Sequence, residues 1–136
     1  MTEGQWITMI RSAGLFHIVT LVLACCTAIP VNWKENLARL PELHRRFAVA
    51  QNVFIGATIG FFGIVSLWFA PDLVAGSTMA RVVCTGISLW WAARLVVLQW
   101  LGVRPHLQNA LQKIGWVLLE LECVSFAIGY SWLAFR

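Results

Sequence analysis

Residues 53–70 read VFIGATIGFFGIVSLWFA and contain no charged side chain. A helix rises about 1.5 Å per residue, so this stretch and the turn before it can cross the roughly 30 Å hydrocarbon core of a bilayer. Pro41 stands before the segment and Pro71 directly after it. Because proline is tolerated in the first turn of a helix but not in its interior, the pattern predicts a transmembrane helix over residues 44–70.

The same apolar pattern occurs three more times along the chain. Pro30 follows the first of these segments, and Ser77 or Thr78 is a suitable N-cap for the third predicted helix. The chain is 60% hydrophobic and 12% charged, whereas soluble domains are about 25% charged. We therefore predict an all-α integral membrane protein, with one domain over residues 1–136 that folds as a four-helix transmembrane bundle. The predicted helices cover residues 5–29, 44–70, 78–102 and 112–135.

Two of the connections carry signals of their own. Residues 32–40 place apolar and charged side chains on different helical faces, and Asn32 with Glu35 fits a capping box. This pattern is typical of a short interfacial helix that lies on the membrane between helices 1 and 2. The segment from Pro71 to Gly76 is predicted to form a tight turn.

Basic residues are distributed unevenly between the two sides of the predicted bundle. The first and third connections carry six of them and the opposite side three, and short loops rich in Lys and Arg usually stay cytoplasmic. We expect a multi-pass protein of the bacterial inner membrane with both termini on the non-cytoplasmic side. The net charge of +4 then reflects contact with lipid headgroups, not nucleic acid. The six are Lys34, Arg39, Arg45, Arg46, Arg104 and Lys113; the three are Arg11, Arg81 and Arg136.

Small residues form stripes on two of the predicted helices, and such stripes let helices approach closely in lipid. Gly56, Gly60 and Gly63 share one face of the second helix. The fourth helix carries small residues on two sides, and we expect it to contact protein on both. One of these sides includes Gly115, Ser125 and Gly129.

Several polar side chains fall inside the predicted helices, where a charge costs about 2.5–3.5 kcal/mol on insertion scales. They are Arg94, Glu120, Glu122, Gln51, Asn52, Gln99 and His17. Arg94 and the two glutamates lie at similar depth if helices 3 and 4 are antiparallel, so we expect Arg94 to pair with one glutamate. Two alternatives remain: Arg94 snorkels to the headgroups or meets a partner subunit, or the three residues line a proton, ion or substrate path.

No motif in the sequence names a reaction. The four cysteines form no CxxC pair and no zinc-type Cys/His spacing. There is also no phosphate-binding loop, nucleophile elbow or catalytic triad spacing. The sequence therefore predicts no metal site, requires no cofactor and favours a protein that is not an enzyme.

Three functions are compatible with these features. The first is a small non-catalytic accessory or scaffolding subunit of a bacterial membrane complex, which binds other membrane subunits or further copies of itself. The second is a small oligomeric transporter or proton- or ion-conducting protein that uses Arg94, Glu120 and Glu122. The third is a haem- or pigment-binding membrane protein with His17 as the single ligand.

Overall fold

A computed structural model of the protein describes residues 2–26 and 32–136, and within these ranges it is helical and contains no strand. The helices are α1 (Glu3–Cys26), α2 (Trp33–Ala38), α3 (Glu42–Trp68), α4 (Ala70–Ala75), α5 (Thr78–Leu101) and α6 (Ala110–Phe135), with a 3₁₀ turn at Arg104–His106. Four of them, α1, α3, α5 and α6, are long and apolar enough to cross a membrane. This confirms the all-helical class and the number of long apolar helices.

The ends of the long helices follow local capping signals. Ser77 is the N-cap of α5, and its hydroxyl accepts a hydrogen bond from the backbone N–H of Ala80 at 3.2 Å. Helix α6 begins two residues earlier than predicted, because Asn109 and Gln112 form a reciprocal capping box there. The predicted end of the first helix at residue 29 lies outside the described residues.

Two predictions about the connections are wrong. Asn32 has a left-handed backbone (φ 60°) and makes no side-chain capping bond, so α2 forms without the expected capping box. Asparagine tolerates this conformation, which differs from the extended backbone that a capping residue usually adopts. The predicted turn after Pro71 is the short helix α4, since proline fits a first helical turn and Leu73 and Val74 bury their side chains.

Contacts divide the chain into two compact units, and the first contains Phe69–Arg136 together with the start of α1 up to Met9. Its main feature is an antiparallel α5–α6 hairpin. The Ser88 hydroxyl donates to the Ala127 carbonyl at 2.7 Å, and the Trp91 and Phe126 rings lie 4.9 Å apart. Both contacts lie near the middle of the hairpin and join the two helices there.

The second unit covers Ile10–Trp68 and pairs the rest of α1 with α3 in antiparallel directions. The two backbones touch at Gly14 and Gly63: a Cβ atom on Gly14 would lie 2.9 Å from the Gly63 carbonyl oxygen. A Cβ on Gly56 or Gly60 would lie 3.3 Å from Leu21. The glycine stripe of α3 therefore faces α1, and Gly14 is its counterpart, which the sequence analysis did not single out.

Gly14→Ala tests this backbone contact. The added methyl would also meet the Leu67 backbone nitrogen at 2.9 Å, and backbone atoms cannot move aside as a side chain can. We expect the variant to lower the free energy of unfolding in detergent by about 1–3 kcal/mol, the usual cost of overpacking. The control is Gly115→Ala, where nothing lies within 4 Å and the higher helix propensity of alanine favours folding. Equal free energies of unfolding for Gly14→Ala and Gly115→Ala would contradict the backbone contact between Gly14 and Gly63.

Candidate functional site

The most densely bonded side chain of the first unit is Glu120 on α6. The Arg104 guanidinium donates to both carboxylate oxygens, at 2.8 Å to Oε1 and 2.7 Å to Oε2. The Gln99 amide donates to Oε1 at 2.7 Å, and the Trp116 indole N–H donates to the same oxygen at 2.8 Å. We call these four residues the Glu120 cluster.

Three consecutive elements bring the Glu120 cluster together. Gln99 lies in the last turn of α5, Arg104 opens the 3₁₀ turn, and Trp116 stands one helical turn before Glu120. Gly102 permits the short connection because it adopts the left-handed conformation (φ 58°) that ends α5. The cluster therefore bonds both helices and their connection to one carboxylate.

The hydrogen bonds of the Glu120 cluster hold α5, α6 and their connection together, and we call this arrangement the clasp. The Glu120 side chain is 15% exposed and that of Arg104 is 65% exposed, so only the arginine is well solvated. An exposed ion pair alone contributes little to stability. Here the carboxylate is also held by an amide and an indole donor, and charge-assisted bonds of this kind are the stronger ones. We conclude that the cluster fastens this end of the α5–α6 hairpin.

The predicted pairing of Arg94 with one of the two glutamates is not made at Glu120, and it stays a prediction for Glu122. Arg104, and not Arg94, is the arginine that binds Glu120, since the connection between the helices reaches back far enough to place a guanidinium beside the carboxylate. Arg94 lies 5.7 Å from the centroid of the Trp90 ring, a cation–π distance. Its charge is attracted by Glu122. Its buried Nε has no hydrogen-bond partner in the part of the chain that the structure describes.

The remaining polar residues of the prediction belong to the second unit. His17 is completely buried, its Nδ1–H donates to the Ala13 carbonyl at 2.7 Å, and its ring meets the Phe62 ring edge-on. Because His17 is completely buried, a haem or pigment could reach its ring only if the side chains packed around His17 moved apart. Gln51 and Asn52 are exposed on α3.

The small residues of α6 differ from those of α3. A Cβ on Gly115 or Gly129 would meet no atom within 4 Å. The hydroxyl of the exposed Ser125 donates back to the Leu121 carbonyl of its own helix at 2.7 Å. Thus no described side chain of the first unit packs closely onto α6 at these glycines, whereas within the second unit the α3 stripe is covered by α1.

Sequence reasoning missed two members of the Glu120 cluster, Arg104 and Trp116. Arg104 was interpreted only as a topology signal, and Trp116 was not considered. The available signal was the four-residue spacing of Trp116 and Glu120, which places both on one helical face. Among residues 2–26 and 32–136, no group of three His, Cys, Asp or Glu side chains could hold a metal ion.

No family model, no curated protein and no solved structure matches this chain.

The bond from Trp116 to Glu120 can be measured by a double-mutant cycle. Trp116→Phe keeps a buried ring and removes the N–H donor, so we expect a loss of about 1 kcal/mol in unfolding free energy. Glu120→Met removes the acceptor of this hydrogen bond. In that background, Trp116→Phe should therefore lower the unfolding free energy by less. Because the change of ring size is common to both backgrounds, the difference isolates the hydrogen bond.

The control for this cycle is Trp132→Phe, at a tryptophan of the same helix that is 60% exposed. It should have the same small effect with Glu120 or Met at position 120. If Trp116→Phe also had the same effect in both backgrounds, the indole would not contribute to the clasp.

Proposed function

We propose that this chain is a small non-catalytic accessory subunit of a bacterial membrane protein complex, and that the small-residue face of α6 docks onto a transmembrane helix of a neighbouring subunit. The observation that carries the proposal is the contrast between the two glycine sets. Gly56, Gly60 and Gly63 are covered by α1, while Gly115 and Gly129 have open space where a side chain would stand.

Packing in lipid explains why this contrast matters. Lipid chains are as apolar as leucine, so transmembrane helices associate through close contact of small residues and through polar bonds. The chain uses that device internally where Gly14 meets Gly63. Gly115 and Gly129 would give a neighbouring helix the same close approach.

The docking proposal is tested with Gly115→Leu and Gly129→Leu expressed in the native host. After extraction in a mild detergent, native mass spectrometry should find the unmodified chain bound to other subunits or to further copies. Each variant should shift most of the chain to a monomer, because leucine fills the space that a partner helix needs. The control is Gly4→Leu, at another glycine with nothing within 4 Å. A monomeric unmodified chain, or variants that assemble as the control does, would refute the proposal.

We also propose that both termini lie on the non-cytoplasmic side of the bacterial inner membrane. The basic residues concentrate before and at the start of α3, and in the connection between α5 and α6 together with the first turn of α6. Such segments stay cytoplasmic. Alkaline phosphatase, which folds only outside the cytoplasm, should be active when fused after Arg136 and inactive when inserted after Arg104. The reverse pattern would show the opposite orientation.

The conduction alternative depends on Arg94, Glu120 and Glu122. The bonds that hold the Glu120 carboxylate would have to break for it to carry a proton, which makes conduction less well supported than docking. Glu120→Gln and Glu122→Gln in liposomes separate the two functions. Loss of proton or solute flux in either variant would favour conduction.

A further inference from the structure

An open groove lies along α5 at the end of the hairpin opposite to the Glu120 cluster. It encloses about 550 Å³ between the first half of α5 and the last residues of α6. Its walls are mainly apolar, with one cation. The lining includes Thr78, Arg81, Val82, Gly86, Leu89 and Phe135.

Arg81 is positioned by one bond and keeps the rest of its guanidinium available. Its Nε donates to the Gly76 carbonyl at 3.1 Å, which fixes the side chain at the start of α5. Across residues 2–26 and 32–136 it has no carboxylate within 4.0 Å and no other side-chain hydrogen bond, so both Nη groups can bind an added anion. The side chain is exposed.

Gly86 keeps the groove open. A Cβ at this position would meet no atom within 4 Å, so a larger side chain would occupy the groove without displacing the fold. From Arg81 to Leu89 the helix rises about 12 Å, so the Arg81 guanidinium lies at one end of the long apolar groove. A ligand that matches this shape has an anionic head and an extended hydrocarbon tail.

We propose that this groove binds one anionic phospholipid. Its phosphate is held by the Nη groups of Arg81, and an acyl chain lies over Gly86 and Leu89 against Phe135. Arg81 is close to the start of an apolar helix, which is the depth of the headgroups in a bilayer. The nearest cation in sequence to Phe135 is Arg136, which stacks on the Trp6 ring at 5.4 Å, so Arg81 supplies the headgroup contact.

The experiment is native mass spectrometry of the purified chain in detergent with added phosphatidylglycerol or phosphatidylcholine of identical acyl chains. We expect the unmodified protein to retain one phosphatidylglycerol and to bind phosphatidylcholine at least about fivefold more weakly, which is the usual contribution of one basic residue near an anionic lipid. Arg81→Gln should lower the binding of phosphatidylglycerol to that of phosphatidylcholine. The control is Arg45→Gln, an exposed arginine on α3, which should leave binding unchanged.

A second pair of variants tests the tail. Gly86→Leu should reduce the binding of both lipids by filling the groove, whereas Gly4→Leu should not; circular dichroism verifies that each variant is folded. Equal binding of the two lipids by the unmodified protein would overturn the proposal, as would equal effects of Arg81→Gln and Arg45→Gln. Glycerol 3-phosphate is added in competition. If it displaced the lipid at similar concentration, the site would recognise a free phosphate and not a lipid.

Discussion

An ionisable side chain in an apolar helix must find a partner or reach the end of the helix, because a charge left alone in hydrocarbon is costly. The first unit meets this constraint in different ways. Glu120 is bound by three donors from α5, α6 and the connection between them. Arg81 lies near a helix start, where it is exposed. Arg94 lies at a cation–π distance from the Trp90 ring and is attracted by Glu122, and its buried Nε–H has no acceptor among residues 2–26 and 32–136.

The distance between helices is set by side-chain size. Where glycine meets glycine, as at Gly14 and Gly63, two backbones touch and the dispersion contacts are close. Where glycines face open space, as on α6, an added Cβ would meet no neighbour from the described residues of the same unit. The same residue type therefore closes one helix pair and leaves another helix face available, which is the basis of the proposed accessory role.

The two ends of the α5–α6 hairpin have different chemistry. At the connection, the Glu120 cluster uses its polar groups on one another, so this end is suited to holding the helices together. At the other end, Arg81 has donors to spare beside an apolar groove, so this end is suited to a ligand. The proposed lipid site at Arg81 therefore lies on a different part of the hairpin from the Glu120 cluster.

Much of the helical architecture could be predicted from the sequence. Long apolar runs bounded by Pro71, Ser77 and similar signals predict four long helices, because helix length and capping depend on residues near one another in the chain. Their observed ends at Trp68 and Leu101 lie within two residues of the predictions. The errors occurred at Asn32 and in α4, where backbone conformation and burial decided the outcome.

The sequence by itself determined the apolar helices, their caps and the presence of charges within them. Only the tertiary structure decided which partners those charges have. Depth along the helices predicted that Arg94 pairs with one of the two glutamates, and Arg104 was interpreted only as a topology signal. The return path of the chain after Gly102 selected Arg104, because hydrogen bonds depend on distances and angles that residue spacing does not specify.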